Sequence, residues 1–299
     1  MSFLPARYTH RLLQNEPLAK YTAARLGGAA DWVYIARETN DELIEIVTAA
    51  WTANVPVRLL GGGSNVLVSD KGVRGLVVVN HVSNVAFDGV NVTASAGHGL
   101  TTLARKCASR GLTGLEWAAS VPGTVGGAVV NNAGAHGGDM AGCMRSVELL
   151  DAERGQHTLT LSDLAYGYRT SSLKTREDKR FLVLSATLEL TEGDPAEIES
   201  MMDTFVAYRK QTQPPGASLG SIFKNPPDDY AGRLIESCGL KGYSIGGAQV
   251  SPVHANFFIN HEKATAHDYY HLIQYVREVV HAQTGVLLEP EVELVGEWD

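Results

Sequence analysis

Apolar residues recur along this chain at two spacings, and each spacing predicts an element. Leu43, Ile46, Val47, Ala50 and Trp51 share one face at the helical period, behind a Thr39-x-x-Glu42 capping pattern. Ile198, Met201, Met202, Phe205 and Val206 repeat that spacing after Pro195, a residue suited to the first helical position. Tyr269, Leu272, Ile273, Val276 and Val280 repeat it again behind Thr265-x-x-Asp268, with Gly285 as the stop. Shorter helices are predicted over 100–107, ended by Gly111, and over 228–238. Strands are predicted at 31–36, 57–60, 75–79, 90–96, 146–150, 157–161, 181–190, 253–260 and 291–295. Helices and strands mix without regular βαβ alternation, which makes the fold class α+β.

Composition narrows the functional classes. The chain has 299 residues, enough for two domains, with 44% hydrophobic and 19% charged residues. The polar turn Glu192-Gly-Asp-Pro195 is the expected domain boundary. A net charge of −8 argues against a nucleic-acid or anionic-membrane surface. Cys107, Cys143 and Cys238 have no metal or redox spacing, which points to reduced thiols and a cytoplasmic protein. No bound metal is expected. The first twenty residues carry Arg7, Arg11, Glu16 and Lys20 with no apolar run, so no signal peptide is expected, and no transmembrane span is expected either.

Two glycine-rich stretches carry the candidate chemistry. Ser120 to Gly138 holds six glycines, at 123, 126, 127, 134, 137 and 138, and no charge. Glycine costs conformational entropy, so six together call for positive φ angles or close approach of another group. Backbone N–H groups beside Thr124, Asn131 and Asn132 can cradle a diphosphate without a lysine. Upstream, the strand Val57–Leu60 runs into Gly61-Gly-Gly-Ser-Asn65. The G-x-G-x-x-G spacing is absent and so is Gly-Lys-Ser/Thr, which excludes the Rossmann and Walker loops. Tight turns in a β-rich protein are the alternative. Two such loops about sixty residues apart suggest a large nucleotide gripped from two sides.

Assembled in order, the motifs resemble the UDP-N-acetylenolpyruvoylglucosamine reductase (MurB) family. They are Pro17-Leu…Tyr21-Thr…Arg25-x-Gly-Gly28, Gly61-Gly-Gly-Ser-Asn65, Gly114-Leu-Glu-Trp117, Val121-Pro-Gly-Thr-Val-Gly-Gly-Ala128, Asn132-Ala-Gly-Ala135, Tyr168-Arg169, Gly220-Ser-Ile-Phe-Lys-Asn-Pro226, Gly246-Gly-Ala248 and Leu288-Glu-Pro-Glu-Val292. The resemblance runs from Pro17 to Val295 and is similar to the shorter, type II branch. It departs at Ser120-Val121, where glycine and isoleucine are commoner. It implies an FAD-binding domain of the vanillyl-alcohol-oxidase (PCMH) type over 1–193, in two subdomains of about 1–80 and 81–193. A smaller α+β substrate-binding domain over 194–299 follows, its C-terminal strand returning to the active site. It implies non-covalent FAD, NADPH as co-substrate, a UDP-sugar substrate and a monomer. A covalent flavin link at His98 is the minor alternative.

The resemblance also assigns residues. Cofactor contacts are expected from Tyr21, Arg25, Leu60, Gly61, Gly62, Gly63, Ser64, Asn65 and Val66, and from Val121, Pro122, Gly123, Thr124, Gly126, Gly127, Ala128, Asn131, Asn132 and Gly134. Arg169 matches the catalytic arginine, Ser221 the proton donor and Glu291 the carboxylate beside the arginine, which needs a raised pKa to hold a proton. A guanidinium fork suits a carboxylate that gains charge during reaction. Arg209, Lys210, Lys224, Asn225 and His254 are the substrate-contact candidates, with a structural histidine as the equal alternative at His254. A same-fold oxidase acting on an alcohol and a cofactor-free module are the rival functions.

Overall fold

A computed structural model describes residues 3–298. The chain divides into two compact units, one of 1–13, 32–62 and 75–208, the other of 14–31, 63–74 and 209–299.

In the first unit, Val57–Leu60 runs parallel to Val73–Asn80, with Ala29–Ala36 as the next strand. Leu76 and Val78 lie under Leu43, Ile46, Val47 and Ala50 of the helix Asn40–Thr52, as the helical spacing predicts. A five-stranded antiparallel sheet follows, in the order Gly155–Thr160, Met144–Asp151, Phe181–Glu189, Asn91–Ser95, Val85–Asp88. Its apolar face packs on Leu100, Leu103 and Cys107 of the helix Leu100–Ala108 and on Val125 and Val129.

Val125 and Val129 belong to a helix, Val125–Asn131, that lies inside the main glycine stretch and that the pattern does not predict. Gly126 and Gly127 each cost about 1 kcal/mol of helix propensity relative to alanine, so the sequence reads as loop. Tertiary burial of Val125, Ala128 and Val129 overrides it.

In the second unit, Ser218–Ser221, Phe257–Asn260, Ala248–Val250 and Ser244–Ile245 form an antiparallel sheet, covered by the helix Ala266–Thr284. Glu293–Val295 pairs in parallel with Val66–Val68. Three expected elements are shorter than their patterns. The helix expected from 228 is Ala231–Ser237, because Asp228 sits at φ +60 and the Asn225 side chain caps the Ala231 N–H. The strand expected from 253 is Phe257–Asn260, and the strand expected from 291 is Glu293–Val295. On Pro195–Thr212 only Ile198 and Met202 are buried; Met201 is exposed, so the methionine pair does not share the inner face. Among the described residues no helix is long and apolar enough to cross a membrane.

Candidate active site

The two glycine stretches meet within the first unit. A Cβ on Gly61 would lie 2.3 Å from Thr124 Oγ1, and one on Gly62 would lie 3.0 Å from the Gly123 Cα. The second stretch is hung on the chain before it: Val125 N–H donates to His98 O at 2.9 Å, Gly126 N–H to Ala96 O at 2.8 Å, and Leu100 N–H to Gly123 O at 3.0 Å. A Cβ on Gly126 would meet Ala96 Cβ at 2.9 Å. Gly61 and Gly126 are therefore demanded by the protein's own packing, the close approach of another group that the sequence allowed for.

Gly127 is different. It is exposed, its φ is ordinary, and a Cβ there would find only Thr124 Oγ1, at 3.8 Å. A helical glycine that neither conformation nor neighbours require leaves room for something outside the chain. Gly62 is exposed as well, with backbone on one side and solvent on the other. Bare backbone at these two points fits a diphosphate that closes over the loops. His98, expected as a minor covalent site, is 1% exposed; Lys106 Nζ donates to its Nε2 at 3.0 Å, and its Nδ1–H donates to Gly99 O at 2.9 Å. Burial pulls its pKa down, and both nitrogens are engaged within the protein.

Arg169 lies on a loop of the same unit. It sits at φ +56, a left-handed conformation that a non-glycine side chain adopts only when its surroundings hold it there. Its Nη2 donates to Gly134 O at 2.6 Å, and its guanidinium lies over the Tyr168 ring at 5.7 Å. Asn132, expected at the cofactor, turns its side chain inward. Its Nδ2 donates to Gly167 O at 3.0 Å and to Asp139 Oδ2 at 3.1 Å, while its Oδ1 accepts from Ala141 N–H. Those bonds tie the Arg169 loop to the glycine hairpin. Asn131 donates to Gly127 O at 3.0 Å. Val121 is half-buried and Pro122 exposed.

The second unit gathers another set. A Cβ on Gly63, at φ +60, would fall 2.0 Å from Tyr21 O, so only glycine lets the loop pass beside Tyr21 and Thr22. Tyr21 OH donates to Glu16 Oε1 at 3.0 Å, and Arg25 is exposed at φ +57. Ser64 is half-buried, and Asn65 Nδ2 donates to Glu291 O at 3.2 Å. Glu291 N–H donates to Ile222 O at 2.8 Å, the residue after Ser221, and Phe223 bridges Pro290. Ser221 follows an irregular stretch of its strand, where Gly220 takes φ +77; such a bulge re-aims the side chain after it. The main chain after Ser221 is thus joined to that of Glu291, whose carbonyl also holds the Asn65 side chain.

Asn256 was invisible in the sequence and holds this arrangement. Buried at 3% exposure, it accepts Phe223 N–H at 2.9 Å and donates to Phe223 O at 2.8 Å, while its own carbonyl accepts Ile222 N–H. An asparagine within a strand pattern was the only signal.

Among the substrate-contact candidates, Lys224 Nζ pairs with Glu289 at 2.6 Å, and Asn225 caps Ala231. Lys210 is exposed. Burial pulls the Arg209 pKa down, and its guanidinium has no acidic partner among the described residues. His254 is packed on Phe257, accepts Asn256 N–H at its Nδ1, and is held toward the neutral form by burial.

Comparison with known proteins adds the ancestry. The profile of the UDP-N-acetylenolpyruvoylglucosamine reductase C-terminal domain matches residues 211–295, and that of an FAD binding domain matches 33–160. A protein of Synechococcus sp. (strain JA-3-3Ab) named UDP-N-acetylenolpyruvoylglucosamine reductase is 44% identical, covering 98% of this chain and 94% of its own. One of the same name from Caldanaerobacter subterraneus subsp. tengcongensis is 42% identical, over 96% and 94%. The crystal structure of UDP-N-acetylenolpyruvylglucosamine reductase from Thermus caldophilus superposes with a TM-score of 0.79 at 34% identity, covering 95% of this chain and 98% of that one.

Proposed function

The chain belongs to the UDP-N-acetylenolpyruvoylglucosamine reductase family, and we propose how its own residues carry that family's reaction. It is an FAD-containing oxidoreductase of peptidoglycan synthesis that reduces the enolpyruvyl ether of UDP-N-acetylglucosamine to UDP-N-acetylmuramate, with NADPH as co-substrate. Bound FAD supplies the hydride that adds to the vinyl methylene carbon.

Addition of hydride there drives negative charge toward the α-carbon and its carboxylate. Arg169 meets that charge with a guanidinium protonated at any working pH. The Ser221 hydroxyl gives its proton to the α-carbon, completing the D-lactyl ether. Glu291, whose main chain runs beside the residue after Ser221, polarises the developing enolate. Exposed backbone at Gly62 and Gly127 takes the FAD diphosphate, with Tyr21, Ser64 and Asn65 along the cofactor. Arg209, half-buried and without an acidic partner among the described residues, takes the substrate diphosphate, assisted by Lys210 and Lys224. Residues 1–193 serve as the FAD domain and 194–299 as the substrate domain, in a cytoplasmic monomer with no nucleic-acid partner.

One observation supports these roles above the others. The Glu291 N–H to Ile222 O bond brings the main chain of the expected carboxylate beside the residue after the expected proton donor, though seventy residues separate Ser221 and Glu291 in the chain. Ser221→Ala tests the reading. NADPH should still bleach the flavin absorbance at the wild-type rate, while its recovery on adding the enolpyruvyl UDP-sugar should slow by roughly 10²-fold or more. Equal loss in both steps would refute the proton-donor role.

A further inference from the structure

Beyond the Arg, Ser and Glu set, one side chain on the rim of the glycine stretch has a geometry that nothing above uses. Gly134–Ala135 and Gly138–Asp139 form a two-pair antiparallel hairpin, closed by His136 at φ +52 and Gly137 at φ +84. Two successive positive φ angles make this a type I′ turn, in which asparagine and glycine are favoured. Histidine tolerates positive φ better than most non-glycine residues, and here its ring makes contacts that an asparagine would not.

That ring lies parallel to Phe205 at 4.2 Å, with 4° between the planes, and edge-on to Tyr208 at 5.8 Å. His136 Nε2 is 3.2 Å from Ser120 Oγ, at the start of the glycine stretch. His136 therefore joins the hairpin tip to the helix Pro195–Thr212 on one side and to Ser120 on the other. The hairpin's second strand rests on Trp117 where it leaves the turn, since a Cβ on Gly138 would fall 2.5 Å from its Cδ1. A two-pair ladder does not hold itself in water, so these lateral contacts fix where it stands. What it carries is the Gly134 carbonyl, which accepts from Arg169 Nη2 at 2.6 Å.

We infer that His136 is a positioning residue for the reduction: its stack on Phe205 fixes the hairpin whose Gly134 carbonyl aims the Arg169 guanidinium. The inference rests on the role given to Arg169 above. Misplacing a catalytic group by about 1 Å can cost roughly 10²-fold in rate, while binding elsewhere is untouched.

The test compares two substitutions that separate ring from backbone. His136→Asn keeps a residue suited to the turn and removes the ring; His136→Tyr keeps an aromatic ring to stack. Phe205→Leu removes the other half of the stack and replaces His136→Asn if that variant does not fold. Each purified holoenzyme is read three ways: flavin reduction by NADPH, flavin recovery with the enolpyruvyl UDP-sugar, and affinity for FAD with the thermal midpoint. In His136→Asn and Phe205→Leu, recovery should slow roughly 10- to 10²-fold with reduction and FAD affinity within about twofold of wild type. His136→Tyr should stay within about fivefold of wild type in every measurement.

Unchanged recovery in His136→Asn, parallel loss of both half-reactions, or a His136→Tyr as slow as His136→Asn would overturn the inference. Arg169→Ala, measured alongside, keeps the two readings apart. If it recovers at the wild-type rate, the role of Arg169 falls. A slow His136→Asn beside it would then show that the histidine does not act through that arginine.

Discussion

At the scale of the residue, Gly127 separates what the fold needs from what the ligand needs. Because nothing beyond the helix's own backbone comes closer than 3.8 Å to a Cβ there, and the residue is helical, Gly127→Ala should leave the chain without FAD as stable as wild type or up to about 1 kcal/mol more stable. Its affinity for FAD should fall at least tenfold, as read by titration of flavin fluorescence. Gly61→Ala should do the opposite, destabilising the chain with or without cofactor, because its methyl would meet Thr124 Oγ1 at 2.3 Å. An FAD affinity unchanged in Gly127→Ala would remove the diphosphate from that helix. The sequence made both glycines candidates and could not tell them apart, since the distinction lies in residues far away along the chain. Asn256 and His136 were hidden for the same reason: an asparagine that clamps the segment after a neighbouring strand and a histidine in a turn have no local signature that names their partners. Asn132 was named for its place in the motif, and the structure spends its side chain on loop-to-loop bonds.

At the scale of the element, caps and apolar period were legible where both agreed. Thr265 accepts Asp268 N–H at 3.0 Å and the Asp268 carboxylate accepts Thr265 N–H at 2.9 Å, closing the predicted box, and Gly285 ends the helix at φ +76. Thr265→Ala should cost about 1 kcal/mol, seen as a fall of a few degrees in thermal midpoint with FAD content unchanged. The other predicted box is only half formed. Thr39 accepts Glu42 N–H at 3.1 Å, but the Glu42 carboxylate turns away to the N–H groups of Arg37 and Glu38, to Tyr34 OH and to Arg11. A buried tyrosine and arginine outbid the cap, and no window of four residues could have shown that. The helix Val125–Asn131 failed for a related reason: propensity is a local sum, whereas its burial is decided by a sheet assembled from strands up to sixty residues further on.

At the scale of the whole molecule, the α+β class was legible because elements of both kinds announced themselves, while the distribution of charge over the folded chain was not. Asp151 shows what that distribution does. Burial at 3% exposure pushes its carboxyl up, but the Arg176 guanidinium at 2.5 Å and the N–H groups of Glu153 and Arg154 outweigh burial and hold it down at about 2. An unfolded aspartate titrates near 3.9. The folded value is the lower one, so this carboxylate stabilises the chain fully above about pH 4 and loses that contribution as pH falls through about 2. Asp151→Asn should therefore lower stability at pH 7 by about 1–3 kcal/mol, since it leaves the half-buried Arg176 guanidinium facing an amide. Between pH 4 and pH 2 the wild type should lose stability more steeply than the variant, so that their unfolding midpoints in urea draw together as the pH falls. Glu42 and Asp268, whose carboxyls are also held low by hydrogen bonds against the opposing pull of burial, keep a residual acid slope in the variant. Midpoints that stay a constant distance apart down to pH 2 would mean that Asp151 is not the group whose protonation is felt there.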